Sequence, residues 1–295
     1  MDADAVKATV SLYDGHAKRS TAEAAGASEA RRQGGAAFPL KRYHNRVKLK
    51  LLQRFATHAP SLVDLCCGRG GDLNKWHECN VRYVLGIDIS PREVIEAKKR
   101  FEDLRKSRGT QMDAQFKHVD CLGTAVLPWD RQFDVATCMF AMHYFLVSEK
   151  SFRMLLRNAS NALKEGGYFI TTFVSGKKVL MALNEGGGEE FKSPMLYISK
   201  RFDGNAQVFG SAYMCALTDT VTRAEDDGAA AGGDGGADDA IVGSIEYLVF
   251  NNVVKAIARE YGLEPVKSYA NRELDALFQV RQASARRPYR SPLRC

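Results

Sequence analysis

The run Val63-Asp64-Leu65-Cys66-Cys67-Gly68-Arg69-Gly70-Gly71-Asp72 sets three glycines directly behind a short apolar stretch, and Gly86-Ile87-Asp88 ends the next apolar stretch on an acid. Glycine lacks Cβ and tolerates positive φ, so Gly68, Gly70 and Gly71 let the backbone turn sharply at a strand end and come close to a ligand. Asp88, at the end of the following strand, is placed to accept both hydroxyls of a ribose. Strand, glycine turn, helix and acid-ended strand together make a βαβ unit. A chain organised on such units is committed to a mostly parallel sheet covered on both faces, which takes ligands beyond the carboxyl ends of its strands.

The remaining sequence continues that order. The spacing predicts strands at Leu62–Cys66, Tyr83–Ile87, Gln115–Val119, Phe133–Met139 and Tyr168–Phe173, with helices near Asp72–Cys79, at Pro91–Arg105 and at Lys150–Leu163. Ser90 suits the cap and Pro91 the first turn of the second helix, which lines up Val94, Ala97, Phe101 and Leu104 on one face. The third buries Phe152, Leu155, Leu156, Ala159 and Leu163, and Gly166-Gly167 is expected to stop it. Ahead of the first strand, Val47, Leu51, Leu52 and Phe55 follow helical spacing with Arg46, Lys48, Lys50 and Arg54 interleaved, a basic amphipathic helix over 43–57. After Phe173 the pattern shortens to strand-like pieces at Met195–Ser199, Gln207–Leu217 and Ser244–Phe250. A helix, Asn251–Tyr261, follows with Val253, Val254, Ile257 and Ala258 inward.

Three segments cannot bury enough apolar surface to offset their ordering entropy: residues 1–38, the acidic Gly/Ala loop 224–240 and the basic tail 281–295. The expected organisation is therefore a disordered arm, a domain over 39–280 with a substrate lobe at 174–250 that carries the loop, and a mobile tail. The formal charge of +7 understates how basic the folded body is. Arg223 stands against Glu225, Asp226, Asp227, Asp234, Asp238 and Asp239, a net −5 that leaves +12 for the rest. That balance favours a polyanionic partner such as nucleic acid. The seven cysteines show no CxxC spacing, so neither a disulfide framework nor a metal site is expected, and most should be buried thiols. No run approaches the roughly 18–20 consecutive apolar residues of a membrane span, and the N-terminus lacks signal-peptide order, so an intracellular protein with no membrane partner is expected.

The acids separate two ligands that share a glycine turn. A dinucleotide seats its pyrophosphate there, whereas S-adenosylmethionine has no phosphate and a cationic methionine end. Asp64 within the first strand and Asp72 at the next helix start can receive an ammonium group, which a phosphate site would not welcome. Asp88 suits either ligand, and Asp120, ending the third strand, can accept from an adenine amino group. The reading is a Rossmann-like class I methyltransferase fold with a seven-stranded sheet and an inserted substrate-binding lobe.

Asp64-Leu65-Cys66-Cys67-Gly68-Arg69-Gly70-Gly71-Asp72-Leu73, with His44-Asn45-Arg46-Val47-Lys48 before it, resembles the eukaryotic mRNA cap guanine-N7 methyltransferases. Phe140-Ala141-Met142-His143-Tyr144 looks like that family's Phe-x-x-His-Tyr, Gly166-Gly167-Tyr168-Phe169 its late strand motif, and Ile245-Glu246-Tyr247 its Ile-Glu-Tyr. The resemblance implies that Lys48, Asp64, Gly68, Asp88 and Asp120 hold S-adenosylmethionine, with Asp72, Cys121 and Met139 beside it. It places His143, Tyr144 and Glu246 on the cap guanine, and Asn45, Arg69 and Arg100 on the substrate side, the arginines facing the triphosphate. The implied reaction methylates guanine N7 and leaves S-adenosylhomocysteine, with no metal and no acid–base residue, because N7 carries a lone pair and no proton.

The implied substrate is the 5′ end of capped mRNA or pre-mRNA in the nucleus, with the cytoplasm or a viral factory as alternative settings. Candidate partners are a guanylyltransferase, the RNA polymerase II tail and an activating subunit. Met139 and Ala141 stand where the family often has polar residues. The family's closing strand with its guanine-contacting tyrosine is matched only by Leu277-Phe278-Gln279-Val280, so either Phe278 substitutes for that contact as the last wall of the pocket or the closing element is absent. A methyltransferase for another base or small molecule, or a silent cap-binding subunit, are the alternatives.

Overall fold

The computed structural model describes residues 38–217 and 243–266. The expected N-terminal arm, all but its last residue, the acidic loop 224–240, the run Leu277–Val280 and the basic tail lie outside the described residues.

The basic helix α1, Phe38–Phe55, buries Leu52 and leans Phe55 on Tyr168 at 4.9 Å between ring centres. Strand β1 (Leu62–Asp64) then runs into the glycine turn and helix α2 (Leu73–Glu78), and β2 (Tyr83–Asp88) into α3 (Pro91–Arg108). The start of α3 follows from its sequence: the Ser90 hydroxyl accepts from the Glu93 N–H at 3.2 Å and Pro91 fills the first turn. Gly109, in the left-handed region at φ 57°, ends it. Strands β3 (Asp113–His118) and β4 (Phe133–Met139) follow, then a 3-10 helix Met142–Val147, helix α4 (Glu149–Ala162) and strand β5 (Leu163–Thr172).

These strands form one sheet in the order β3-β2-β1-β4-β5, every pair parallel. On one face α4 packs Phe152, Leu155 and Leu156 against Val63, Leu85 and Phe133. On the other, α1, α2 and α3 bring Leu52, Trp76, Val94 and Phe101 onto Leu62, Val84 and Val135. Each such buried side chain is worth about 1.5–3 kcal/mol, so a sheet sealed on both faces is the stable arrangement for these apolar runs. Five strands stand in this sheet among the described residues, where seven are expected.

One local expectation is corrected. Gly166 and Gly167 do not stop α4, which ends at Ala162; they lie within β5, where the register against β4 shifts between Phe133 and Val135. Gly166 sits at φ 74°, and a Cβ on Gly167 would stand 3.0 Å from the Asp134 carbonyl oxygen. The pair serves an irregular strand that has to pass close to its neighbour.

Beyond β5, helix α5 (Gly176–Glu185) covers a second sheet, β6 (Glu190–Lys192), β7 (Leu196–Lys200), β8 (Ala212–Leu217) and β9 (Ser244–Tyr247), antiparallel throughout. Val179 and Leu183 meet Ile198, Tyr213 and Leu248 in its own small core. Strand β9 lies against the 3-10 helix that follows β4, and helix α6 (Asn251–Arg259) returns Val254, Ile257 and Ala258 to the first core. The second sheet thereby closes over the carboxyl ends of the parallel strands.

Candidate active site

A cleft of ≈ 240 Å³ opens at the carboxyl ends of the parallel strands, walled by Lys48, Gly68, Asp72, Asp88, Asp120, Met139 and Tyr144 together with Phe140 and Tyr247. Its floor is the glycine turn. Gly68, at φ 49°, donates its N–H to Asp88 Oδ2 at 2.7 Å, and the Ser90 N–H donates to Asp88 Oδ1 at 2.9 Å. Each carboxylate oxygen thus takes one backbone donor and keeps lone-pair capacity for the cleft. Burial raises the Asp88 pKa, against the pull of the Ser90, Gly68 and Ile89 N–H groups.

A four-residue charge cluster fills the side of the cleft next to α1. Lys48 Nζ stands 2.9 Å from Asp72 Oδ2, and Lys75 Nζ 2.8 Å from Asp72 Oδ1. Burial alone would lift the Asp72 pKa, but the two ammonium groups hold it below the usual carboxylate range. Asp64 lies beneath, 2% exposed, with no hydrogen-bond partner at Oδ1 among the described residues. Its burial, with Asp72 adding and Lys48 opposing, pushes its pKa up to about 7. Lys48 also sits 5.6 Å over the Phe140 ring, which leans on His44 at 4.6 Å. Phe140 adopts φ 58°, a conformation that strains a bulky residue and gathers at ligand sites.

The second recess lies between the 3-10 helix and β8–β9. His143, 3% exposed, has neither ring nitrogen hydrogen-bonded among the described residues; its Nε2 is 3.8 Å from Glu246 Oε1. Burial lowers its pKa despite Glu246, so at neutral pH the imidazole is uncharged. Glu246, 8% exposed, accepts from the Tyr213 hydroxyl at Oε2 (2.7 Å) and from the Ser244 hydroxyl at Oε1 (2.9 Å). The Tyr144 ring meets His143 edge-on at 4.2 Å, and Tyr144 and Tyr247 join this recess to the cleft wall.

The sequence-predicted residues therefore fall into groups. Lys48, Gly68, Asp72, Asp88, Asp120, Met139 and Tyr144 share the cleft, with Asp64 under it, while His143 and Glu246 share the recess. Cys121 is displaced: it packs against the α4-side core, and its neighbours Leu122 and Gly123 form the wall instead. Asn45 is exposed on α1, one turn before Lys48 and outside the wall. Arg69 is gripped by Glu93, with Nη2 to Oε1 at 2.6 Å and Nε to Oε2 at 3.1 Å, and Arg100 pairs with Glu96 at 2.9 Å one turn away on α3. Neither arginine lines the cleft. Met139 lines the cleft, and its Sδ accepts from the Thr172 hydroxyl at 3.7 Å.

Four residues were missed. Lys75 is a buried lysine one turn after Asp72, a spacing that signals an ion pair on a helix. Phe140 and Tyr247 sit inside the quoted motifs, and their aromatic type next to a strand end is the available sign. Tyr213 has no local signature; only its place opposite Glu246 in the β8–β9 register reveals it.

The family model described as mRNA (guanine-N(7))-methyltransferase domain matches residues 8–225. The chain is 33% identical over 249 residues to the mRNA cap guanine-N(7) methyltransferase of Schizosaccharomyces pombe, covering 79% of this chain and 62% of that protein. It is 28% identical to the mRNA cap guanine-N(7) methyltransferase 1 of Arabidopsis thaliana, covering 80% and 61%. The chain thus spans about three fifths of the length of these relatives. Among solved structures, the CcbJ methyltransferase of Streptomyces caelestis shares the fold at a TM-score of 0.51 and 12% identity, covering 78% of this chain and 82% of that one.

Proposed function

The chain belongs to the mRNA (guanine-N(7))-methyltransferase family, and we propose that it transfers the methyl group of S-adenosylmethionine to N7 of the guanosine cap of mRNA. The observation that carries the reading is the recess beside the cleft: a buried carboxylate, Glu246, next to a buried neutral His143 whose two ring nitrogens lack hydrogen-bond partners among the described residues. Buried polar atoms are nearly always satisfied, so these await a ligand that offers both donors and an acceptor. Guanine's edge does so in sequence: O6 accepts, N1–H and the 2-amino group donate. His143, Glu246 Oε1 and Glu246 Oε2 stand in the matching order, since the imidazole is nearest Oε1.

The cleft fits the donor. Asp88 keeps lone pairs for ribose hydroxyls, the partnerless Asp64 Oδ1 suits an ammonium group, Lys48 suits the donor's carboxylate, and Asp120 suits the adenine amino group. When bound, S-adenosylmethionine supplies an electrophilic methyl on a positively charged sulfur. Glu246 and His143 hold the base by its edge, Tyr144 borders both sites, and no side chain has to remove a proton from N7. Holding the reactants in line can supply roughly 7–11 kcal/mol of the barrier. Arg69 and Arg100, implied for the triphosphate, are engaged by Glu93 and Glu96 instead.

On this reading residues 39–280 form the catalytic domain, with 174–250 as its substrate lobe. The substrate is capped pre-mRNA in the nucleus, alongside a guanylyltransferase, the polymerase tail or an activating subunit. The test is purified protein with labelled donor and GpppA-capped RNA, beside uncapped RNA and free GTP, with nuclease digestion of the product. N7-methylguanosine is expected from the capped RNA alone, and Glu246→Ala should abolish it while S-adenosylhomocysteine still binds. Absence of N7-methylguanosine from the wild-type reaction overturns the proposal.

A further inference from the structure

Glu246 does not stand alone in its recess. Tyr213, 1% exposed, is its direct partner across the antiparallel β8–β9 pair, and Ser244 lies two residues before it on the same face of β9. The Ser244 hydroxyl has one proton to give and two acceptors in reach, Glu246 Oε1 at 2.9 Å and the Cys215 carbonyl at 3.3 Å. The charged, nearer acceptor wins that proton. Burial and the adjacent carboxylate keep the Tyr213 phenol protonated well above its ordinary range, so its O–H donates at any working pH. Both oxygens of Glu246 are therefore acceptors, each pinned by a different hydroxyl and each retaining lone-pair capacity toward the recess.

We propose that Tyr213 and Ser244 are positioning residues for cap recognition, Ser244 orienting Glu246 Oε1 toward guanine N1–H and Tyr213 orienting Oε2 toward the 2-amino group. The assignment rests on the cap-guanine reading above and follows from the order of atoms, because His143 flanks Oε1 and Tyr213 holds the far oxygen. Tyr213 then sets selectivity for a purine bearing a 2-amino group, although it reaches the base only through Glu246. Ser244 supports a contact that guanine and hypoxanthine make alike.

The experiment compares guanosine-capped with inosine-capped RNA, which differ only in the 2-amino group. For the wild type, kcat/KM should fall about 10- to 100-fold on inosine-capped RNA, the loss of one hydrogen bond to a charged acceptor. In Tyr213→Phe the guanosine-capped rate should fall by a similar factor while the inosine-capped rate changes little, so the preference collapses toward unity. Ser244→Ala should slow both substrates equally and keep the preference. Binding of S-adenosylhomocysteine, made in the separate cleft, should be unchanged in both variants and reports that they fold. A Tyr213→Phe enzyme that binds the product and keeps the wild-type preference overturns the proposal. Should that variant fail to fold, Tyr213→Met decides: it fills the same buried space without a hydroxyl, and retention of the guanosine preference in it would again overturn the proposal. A wild type inactive on every cap refutes the cap-methylation reading itself, and this assignment with it.

Discussion

Asp64→Asn tests whether the buried charge cluster is built for an ammonium ligand. In the ligand-free protein burial raises the Asp64 pKa from 3.8 to about 7, with Asp72 adding to the rise. A rise of about three units corresponds to about 4 kcal/mol between the two protonation states. The group is raised, so between roughly pH 4 and 7 the folded protein holds a proton that the unfolded chain has released. Its contribution to stability is therefore full below pH 4 and lost as pH rises through about 7. Asparagine removes that titration and leaves an unpaired buried amide costing about 1–3 kcal/mol. The variant should consequently melt higher than wild type at pH 8, by about 1–3 kcal/mol, and lose the advantage by pH 5. Binding should move the other way. Wild-type affinity for S-adenosylhomocysteine, which carries the donor's ammonium group, should rise with pH through about 7 as Asp64 ionises. Asp64→Asn should bind about 10- to 150-fold more weakly at pH 8 and lack that rise. Melting curves and titration calorimetry from pH 5 to 8.5 read both effects. Parallel melting of variant and wild type across that range, or a wild-type affinity flat through pH 7, would refute the reasoning.

Asp88→Ala removes the acceptor that binds the Gly68 and Ser90 N–H groups and faces the cleft. S-adenosylhomocysteine affinity should drop by at least about 10-fold by calorimetry, and a variant binding within error of wild type would exclude Asp88 from the donor site. Arg69→Met leaves Glu93 buried without its cation and should destabilise by about 3–5 kcal/mol in denaturant melts. Arg69→Met with Glu93→Leu should recover most of that loss, and a double variant no more stable than the single would show that the pair is not the origin of the effect.

Much of this fold was legible because its determinants are local. Ser90 and Pro91 start a helix wherever they stand, since a cap and a fixed φ act within one turn, and Val94, Ala97, Phe101 and Leu104 fall on one face by helical geometry alone. The glycine turn was equally readable, because Gly68 and Gly70 take the positive φ values that their lack of Cβ permits. Gly166-Gly167 was misread by the same logic. Two glycines after a helical pattern suit a helix stop and a strand irregularity equally, and the choice depended on the β4 register, which no local signal carries.

The sequence was enough to establish the βαβ order, the acids Asp64, Asp88 and Asp120 at the ends of the first three strands, and the His143–Tyr144 and Glu246 motifs, all properties of residue type and short spacing. The folded chain decided which charges meet. Arg69 found Glu93 24 residues away, Tyr213 found Glu246 33 residues away, and Lys48 reached Asp72 across 24. Such pairs depend on sheet register and on which helix covers which face. Coulomb energy falls with distance and with exposure to water, so a charge's role is set by its partner and its burial. Chain position specifies neither, and that is why Arg69 could be predicted as a phosphate ligand and stand in the structure as the clamp on Glu93.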